Sequence, residues 1–497
     1  MGELSRQDIS RRLAEERIGI NPAGADAISG HDHSKELLEK VVSTYESGEI
    51  IDEQAVKSIE VEPSQQIQDS TDEETESEEY DPFERALIDE LPDVASRVDA
   101  DRAVAVTKDI TGKSRGTGEI EDFSSLFRDR YTKLRDILSQ RVKARPIKSL
   151  TSRRGSENVG VIGMVRETRT SNNGNPLVEV EDRTGDILVV FSDDSMKETL
   201  NEVVEDEVVA IRGQLSDNAE IMFGDDILFP EIPPRRTQNT ASRSAHAVLV
   251  SDLHFGAEQF SYKAWRDFVR WVRQNEKIEY ILVSGDIVEG IGVYPGQKQE
   301  LDVVSIHEQY RLAAEAFNQI PDDVKIIMSV GNHDSVRLAE PQPTLPEKFR
   351  EYFNDNVEFV GNPSLVTVEG VDFLLYHGMS LNALEANVPG VDLETATSAM
   401  KLLLRKRHLS PVYGENVRLA PEEEDYLVIE QIPDVLHCGH VHTFSQDKHN
   451  GVLMYNTGAW QEQTKYQKQR DIEPDVGYAP KINLRTMKTE VFHFRDK

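Results

Sequence analysis

Cysteine is nearly absent: Cys438 is the single one in 497 residues. One thiol excludes an internal disulfide and a cysteine-rich zinc module, and it fits a reducing compartment. Long apolar runs are missing as well. Nothing approaches the roughly 20 apolar residues that a membrane span needs. The opening MGELSRQDISRRLAEERIGI also lacks the apolar core of a signal peptide. The expectation is a cytoplasmic protein with no membrane partner. Basic residues are outnumbered, 56 against 90 acidic, for a formal charge of −34. That balance opposes non-specific nucleic-acid binding, so any such contact requires local basic patches. The acidity is spread along the chain, which suits a salt-loving source; an acid-patch binding protein is the alternative.

What is present divides the chain into several domains. Residues 1–50 carry two amphipathic segments, with Leu4, Ile9 and Leu13 near one helical face, and read as a small helical interaction module. Residues 51–85 form an acidic linker. Six of the eight residues 72–79 are acidic, and such a stretch buries too little apolar surface to offset its ordering entropy. Residues 86–154 read as a helical, partly basic connector. From Arg128 to Arg154 it holds ten Lys or Arg against two Asp, either a solvated helix face or a phosphate- or partner-contacting one.

Between 155 and 230 the pattern turns to strands: NVGVIGMVRETRT, NPLVEVEDRTG, DILVVFS, EVVAIRGQLS and EIMFGDDILFP. Alternation and glycine-containing turns predict a five-stranded barrel whose size suits an OB-fold, a frequent single-strand nucleic-acid platform. Phe191 and Phe223 are its obvious aromatics, so a docking module is equally open. Residues 231–245 read as a linker. From 246 to 497 apolar strands alternate with helices such as SYKAWRDFVRWVRQNE, where Trp265, Phe268, Val269 and Val272 make one buried stripe. An α/β sandwich with functional loops at strand ends follows.

Five of those loops carry the chemistry: SDLHFG, SGDIVEG, GNHDSV, YHGMSL and CGHVHTF. They supply Asp252, His254, Asp286, Asn332, His333, His377, His440 and His442. The chain has thirteen histidines, and five sit here. Imidazole combined with carboxylate and amide oxygen suits manganese, iron or zinc better than magnesium or calcium.

The ordered set D-x-H, G-D, G-N-H-D, H-G and G-H-x-H resembles the calcineurin-like binuclear metallophosphoesterases. GIGVYPGQ (290–297), HGMSLN (377–382) and MKLLLRKRHLSPVYG (400–414) are similar to the small subunits of archaeal D-family DNA polymerases. The resemblance spans roughly 155–497. It implies an OB-fold β-barrel followed by an α/β metallophosphoesterase sandwich, which with the N-terminal helical module makes a multidomain chain; together with the spread acidity, the expected source is a halophilic archaeon. It further implies two divalent ions, manganese first, with iron, zinc or magnesium as alternatives. The first would be held by Asp252, His254, Asp286 and His442, the second by Asp286, Asn332, His377 and His440. His333 would stay off the metals and protonate the leaving oxygen, with Asp334 orienting it. Related repair nucleases place a second histidine three residues after the bridging aspartate; this chain has Glu289 there.

The implied activity is a 3′→5′ proofreading exonuclease on single-stranded DNA and primer 3′ ends. Polymerisation would reside in a large catalytic subunit, and the N-terminal module would meet other replication proteins. A stand-alone metallophosphatase and a catalytically silent scaffold are the alternatives. Arg405, Lys406 and Arg407 are expected either to contact the DNA backbone or to form a solvated helix face.

Overall fold

The computed structural model describes Gly19–Ile20, Ile50–Ile51 and residues 81–88, 90–95, 102–150, 158–294, 296–414, 417–469 and 471–495. The chain divides into two units, Met1–Glu78 and Glu79–Lys497. In the first, Gly19–Ile20 and Ile50–Ile51 pair in parallel. Those residues are extended rather than helical or loose. The rest of the expected helical module, and most of the acidic linker, lies outside the described residues.

The second unit begins inside the span expected as linker. Helix α1, Pro82–Ala86, has Asp81 as its N-cap, accepting from the Phe83 N–H at 3.0 Å, and a proline in its first turn. Ala86 and Ile88 are buried in the main core. The expected connector 86–154 then contains a strand, β1 (Val104–Lys108), and a long helix, α2 (Ile120–Ser139). Leu126, Arg130, Leu134 and Leu138 recur at every fourth position as the buried stripe of α2.

Five strands follow: β2 (Asn158–Thr170), β3 (Pro176–Asp182), β4 (Gly185–Val190), β5 (Val208–Leu215) and β6 (Ile221–Leu228). They close into a barrel in the order β2–β3–β4–β6–β5. β4 and β6 run parallel, and all other neighbours antiparallel. Alternate residues fill the interior, among them Val159 and Val161, Val178 and Val180, Ile187 and Val189, and Val209 and Ile211. The segment 231–245 is no free linker. Ile232, Ala241 and Ala245 are buried, and Arg236 pairs with Asp434 at 2.7 Å.

The remainder builds two six-stranded sheets. The first comprises β7 (His246–Val250), β8 (Ile278–Ser284), β9 (Lys325–Ser329), β10 (Val357–Phe359), β16 (Tyr478–Asn483) and β17 (Lys488–His493). Its order is β10–β9–β8–β7–β16–β17, and β7 to β10 are mutually parallel. The second holds β11 (Ser364–Val368), β12 (Val371–Leu375), β13 (Val435–Cys438), β14 (Phe444–His449) and β15 (Val452–Thr457). Its order is β14–β15–β13–β12–β11–β1, with β12 and β13 parallel.

Leu249, Tyr280, Leu282 and Ile327 of one sheet share a cluster with Val366, Phe373, Leu375 and Val435 of the other, so the sheets face each other. The opposite face of the first sheet is covered by α3 (Tyr262–Gln274) and α4 (Ile306–Phe317). Trp265, Phe268, Val269 and Val272 there meet Val248, Val250, Ile281 and Val283. Helices α5 (Leu381–Asn387) and α6 (Thr397–Lys406) cover the second sheet. Burial on both faces explains why these strands read as continuous apolar runs. Among the described residues, no helix is long and apolar enough to cross a membrane.

The basic triplet at the end of α6 corrects an expectation. Lys406 is 2 % and Arg407 4 % exposed. Lys406 Nζ pairs with Glu207 at 2.8 Å and donates to the Glu202 carbonyl at 2.6 Å. Arg407 donates to the Ile429 and Glu430 carbonyls. Arg405 pairs with Glu202 and Glu231. Arg405 and Lys406 tie this helix to Glu202, Glu207 and Glu231 around the barrel, while Arg407 is spent on the 429–430 segment, so neither a DNA contact nor a solvated face describes the two buried members. Arg130 of the basic connector is likewise buried, 2.8 Å from Asp425.

A candidate metal centre

β7, β8 and β9 run parallel, as do β12 and β13, and the loop after each carries one motif. The local backbone is costly. Asp252, His254, Asp286, His440 and His442 all have positive φ, at 51°, 54°, 52°, 73° and 60°. Non-glycine residues held there carry on the order of 1–3 kcal/mol of strain each, and such positions cluster at functional sites. Glycines at two neighbouring positions allow close approach. A Cβ on Gly331 would lie 2.2 Å from Asp286 Oδ1, and one on Gly439 2.1 Å from Asp252 Oδ2.

The loops converge on Asp286. Its Oδ2 lies 3.2 Å from His377 Nε2 and 3.8 Å from His254 Nε2, and its Oδ1 accepts from the His333 N–H at 2.8 Å. His377 Nε2 is also 2.9 Å from Asn332 Oδ1. On the other side, His254 Nε2 and His442 Nε2 stand 3.0 Å apart, and His442 Nε2 is 3.5 Å from Asp252 Oδ1. The His440 ring packs 5.2 Å from that of His377, and the His440 backbone N–H donates to Asp252. Ligating atoms of Asp252, His254 and His442 all lie within 4.8 Å of one another, as do those of Asp252, Asp286 and His377.

The donor chemistry fits a cation. His377 Nδ1 lies 2.9 Å from the Ser284 carbonyl, which can only accept, so that nitrogen holds the proton. Nε2 then faces two oxygens, Asp286 and Asn332, and either a second proton or a metal ion must stand between them. Nitrogen and oxygen lone pairs gathered in this way require positive charge between them. Electrostatics agree. Burial opposes ionisation of Asp286, yet His377, His333 and His254 hold its carboxyl well below the usual range. Burial, and then the charge of His377, pushes His440 down to about 3. Burial likewise lowers His254. Against burial, Asp286 raises His377 to about 10, so without an ion that ring carries the positive charge a bound cation would replace. Neutral imidazoles beside ionised carboxylates are the forms that bind metal.

His333 is partly exposed at the rim. Burial would lower its proton affinity, but Asp286 and then Glu289 raise it above the ordinary value. Its Nδ1 donates to the Glu289 carbonyl at 2.7 Å. The expected orienting partner, Asp334, is turned elsewhere. It accepts from the Gly331 and Ile287 N–H groups and from Tyr310 Oη, and so braces the loop. Burial, and then Asp286, push its carboxyl up to about 7. Two contacts were not visible in the sequence: Glu289 beside His254, and the Gln467 amide 2.9 Å from His442 Nδ1. Glu289 stood out by type and spacing; nothing flagged Gln467.

A family model for the B-type subunits of DNA polymerases alpha and epsilon matches residues 247–446, which include all five loops. The chain is 44 % identical over 406 residues to the "DNA polymerase II small subunit" of Halobacterium salinarum, covering 80 % of each protein. The Archaeoglobus fulgidus protein of that name is 43 % identical, over 76 % of this chain and 78 % of its own. For Methanothermobacter thermautotrophicus the values are 40 %, 77 % and 82 %. A solved archaeal phosphodiesterase aligns over 50 % of this chain and 98 % of its own at 15 % identity, with a TM-score of 0.26, too slight a likeness to bear on function.

Proposed function

This chain belongs to the family of DNA polymerase II small subunits, and from that premise we propose that it carries a metal-dependent 3′→5′ exodeoxyribonuclease beside a large, polymerising subunit. The observation behind this reading is the gathering of imidazoles and carboxylates from five loops around Asp286, with His333 at the rim. Asp252, His254, Asp286 and His442 would hold one divalent ion. Asp286, Asn332, His377 and His440 would hold a second, manganese being the first candidate. When bound, the pair supplies Lewis-acid polarisation of a phosphodiester and activation of water.

The chain's own residues do the rest. With Nδ1 committed to the Glu289 carbonyl, His333 has Nε2 left to face substrate. Its raised proton affinity keeps an imidazolium available near neutral pH. As water adds to phosphorus and the P–O3′ bond breaks, that ring donates its proton to the departing 3′-oxygen, releasing a 5′-mononucleotide. Asn332 contributes an oxygen without charge, and Asp334 holds the loop that carries both. We take the closed barrel as an OB-fold and the facing sheets as a metallophosphoesterase sandwich. Together they form the dock for the large subunit and for single-stranded primer ends.

The test uses the chain purified with its large subunit on a mismatched primer. Manganese should drive release of 5′-mononucleotides, and His333→Ala should slow turnover roughly 10²–10⁴-fold while the metal content stays the same. A manganese-loaded chain that cleaves small phosphate esters and leaves DNA intact overturns the reading.

A further inference from the structure

One acidic residue in the loop after β8 serves neither as ligand nor as acid in this scheme. Glu289, three residues beyond Asp286, is 1 % exposed. A charge buried that deeply persists only when fully partnered, and this one is. Its Oε1 accepts from Tyr294 Oη at 3.1 Å and from Gln297 Nε2 at 3.0 Å. Its Oε2 accepts from Gln461 Nε2 at 3.0 Å and lies 2.8 Å from His254 Nδ1, a contact too oblique for a linear hydrogen bond. The main-chain carbonyl of the same residue accepts from His333 Nδ1. The two rings it touches meet edge-on, 4.7 Å apart at 89°.

A carboxylate offers about four acceptor positions; three are taken by donors, and the fourth faces His254 Nδ1 at 2.8 Å. That leaves none for a cation, although His254, Glu289 and His333 lie close enough to suggest one. Glu289 instead stands behind His254, on the side away from Asp286 and His442. A carboxylate in that place fixes the tautomer of a ligating histidine and raises its basicity.

Resting on the metal-centre reading above, we propose that Glu289 is the positioning residue of this centre. Its side chain keeps the His254 proton on Nδ1 and presents Nε2 to the first cation. Its carbonyl sets the ring of the proton donor, His333. One residue thus aligns a metal ligand and the general acid through separate atoms.

Manganese titration of the full chain, followed by electron paramagnetic resonance of the free ion, tests this with circular dichroism as the fold control. Wild type should bind two ions. Glu289→Ala should weaken one of them roughly 100-fold and leave the other, within the 10–100-fold range typical of such partners. Glu289→Gln should lose nearer 10-fold, because its amide oxygen still presents partial negative charge to His254 Nδ1. Two-ion binding in wild type with both variants unchanged overturns the assignment of Glu289 and spares the metal reading; wild type that binds no manganese overturns both. If the alanine variant does not fold, the glutamine variant decides. Nitrogen-15 histidine spectra of the zinc-loaded wild type need no substitution at Glu289: His254 must show a protonated Nδ1, and a metal-bound Nδ1 sinks the proposal.

Discussion

Lys406→Ala should unfold or loosen the protein without touching its chemistry. The ammonium is buried, 2.8 Å from an equally buried Glu207, whose carboxylate also accepts from the Val204 N–H. Burial pushes Glu207 up and Lys406 down, against the attraction between them. Desolvation therefore outweighs the Coulomb gain, and the pair contributes little net stability while it is intact. Removing one partner is different, since it strands a charge, at a cost of about 3–5 kcal/mol. At about 1.4 kcal/mol per decade, that is a factor of roughly 10²–10⁴ in the unfolding equilibrium. The double variant Lys406→Met, Glu207→Leu should recover most of the loss. Urea midpoints of wild type, Lys406→Met, Glu207→Leu and the double variant give the cycle, and DNA affinity measured against salt gives the control. If Lys406 touched a phosphate, its removal would shrink the salt slope by about 1. A shrunken slope with an unchanged midpoint would refute the interdomain role.

A chelator should abolish nuclease activity, and manganese should restore it. Saturating manganese should also raise the thermal midpoint, since each ion at 100 times its Kd adds about 2.7 kcal/mol. Gly439→Ala should cost metal binding while leaving the circular dichroism spectrum in place, because the new Cβ would sit 2.1 Å from Asp252 Oδ2; equal metal content in the variant contradicts this. His408, buried against Asp425, is held down to about 4 by burial and by Arg130. The unfolded chain takes up that proton near pH 6.5, so between about 6.5 and 4 it binds more protons than the folded one and stability falls as pH falls. Urea midpoints at pH 8 and pH 5 should converge in His408→Gln relative to wild type.

The barrel and the strands of the sandwich were legible because period-2 alternation and fully apolar runs are local signals. NVGVIGMVRETRT coincides with β2, Asn158–Thr170. The side chains that converge on Asp286 were legible because scarce histidines fell just beyond separate strands. Illegible were features decided across the chain. VAVTK becomes β1 only because β11 offers an edge, and three of its residues remain exposed. Lys406 and Arg130 look like surface charges until Glu207 and Asp425, 199 and 295 residues away, neutralise them. Asp334 adjoins His333 in sequence, yet its hydrogen bonds run to backbone N–H groups on two loops and to a tyrosine on α4.

The pairing of β1 with β11 makes the sandwich discontinuous in the gene. Val106 sits opposite Val366, with the whole barrel encoded between them. A truncation that starts at His246 would therefore strip a flank from the second sheet and bare a hydrogen-bonding edge to aggregation. On the ribosome, β1 emerges early and waits for a strand made about 260 residues later, so this sheet is completed only after the barrel has already been synthesised.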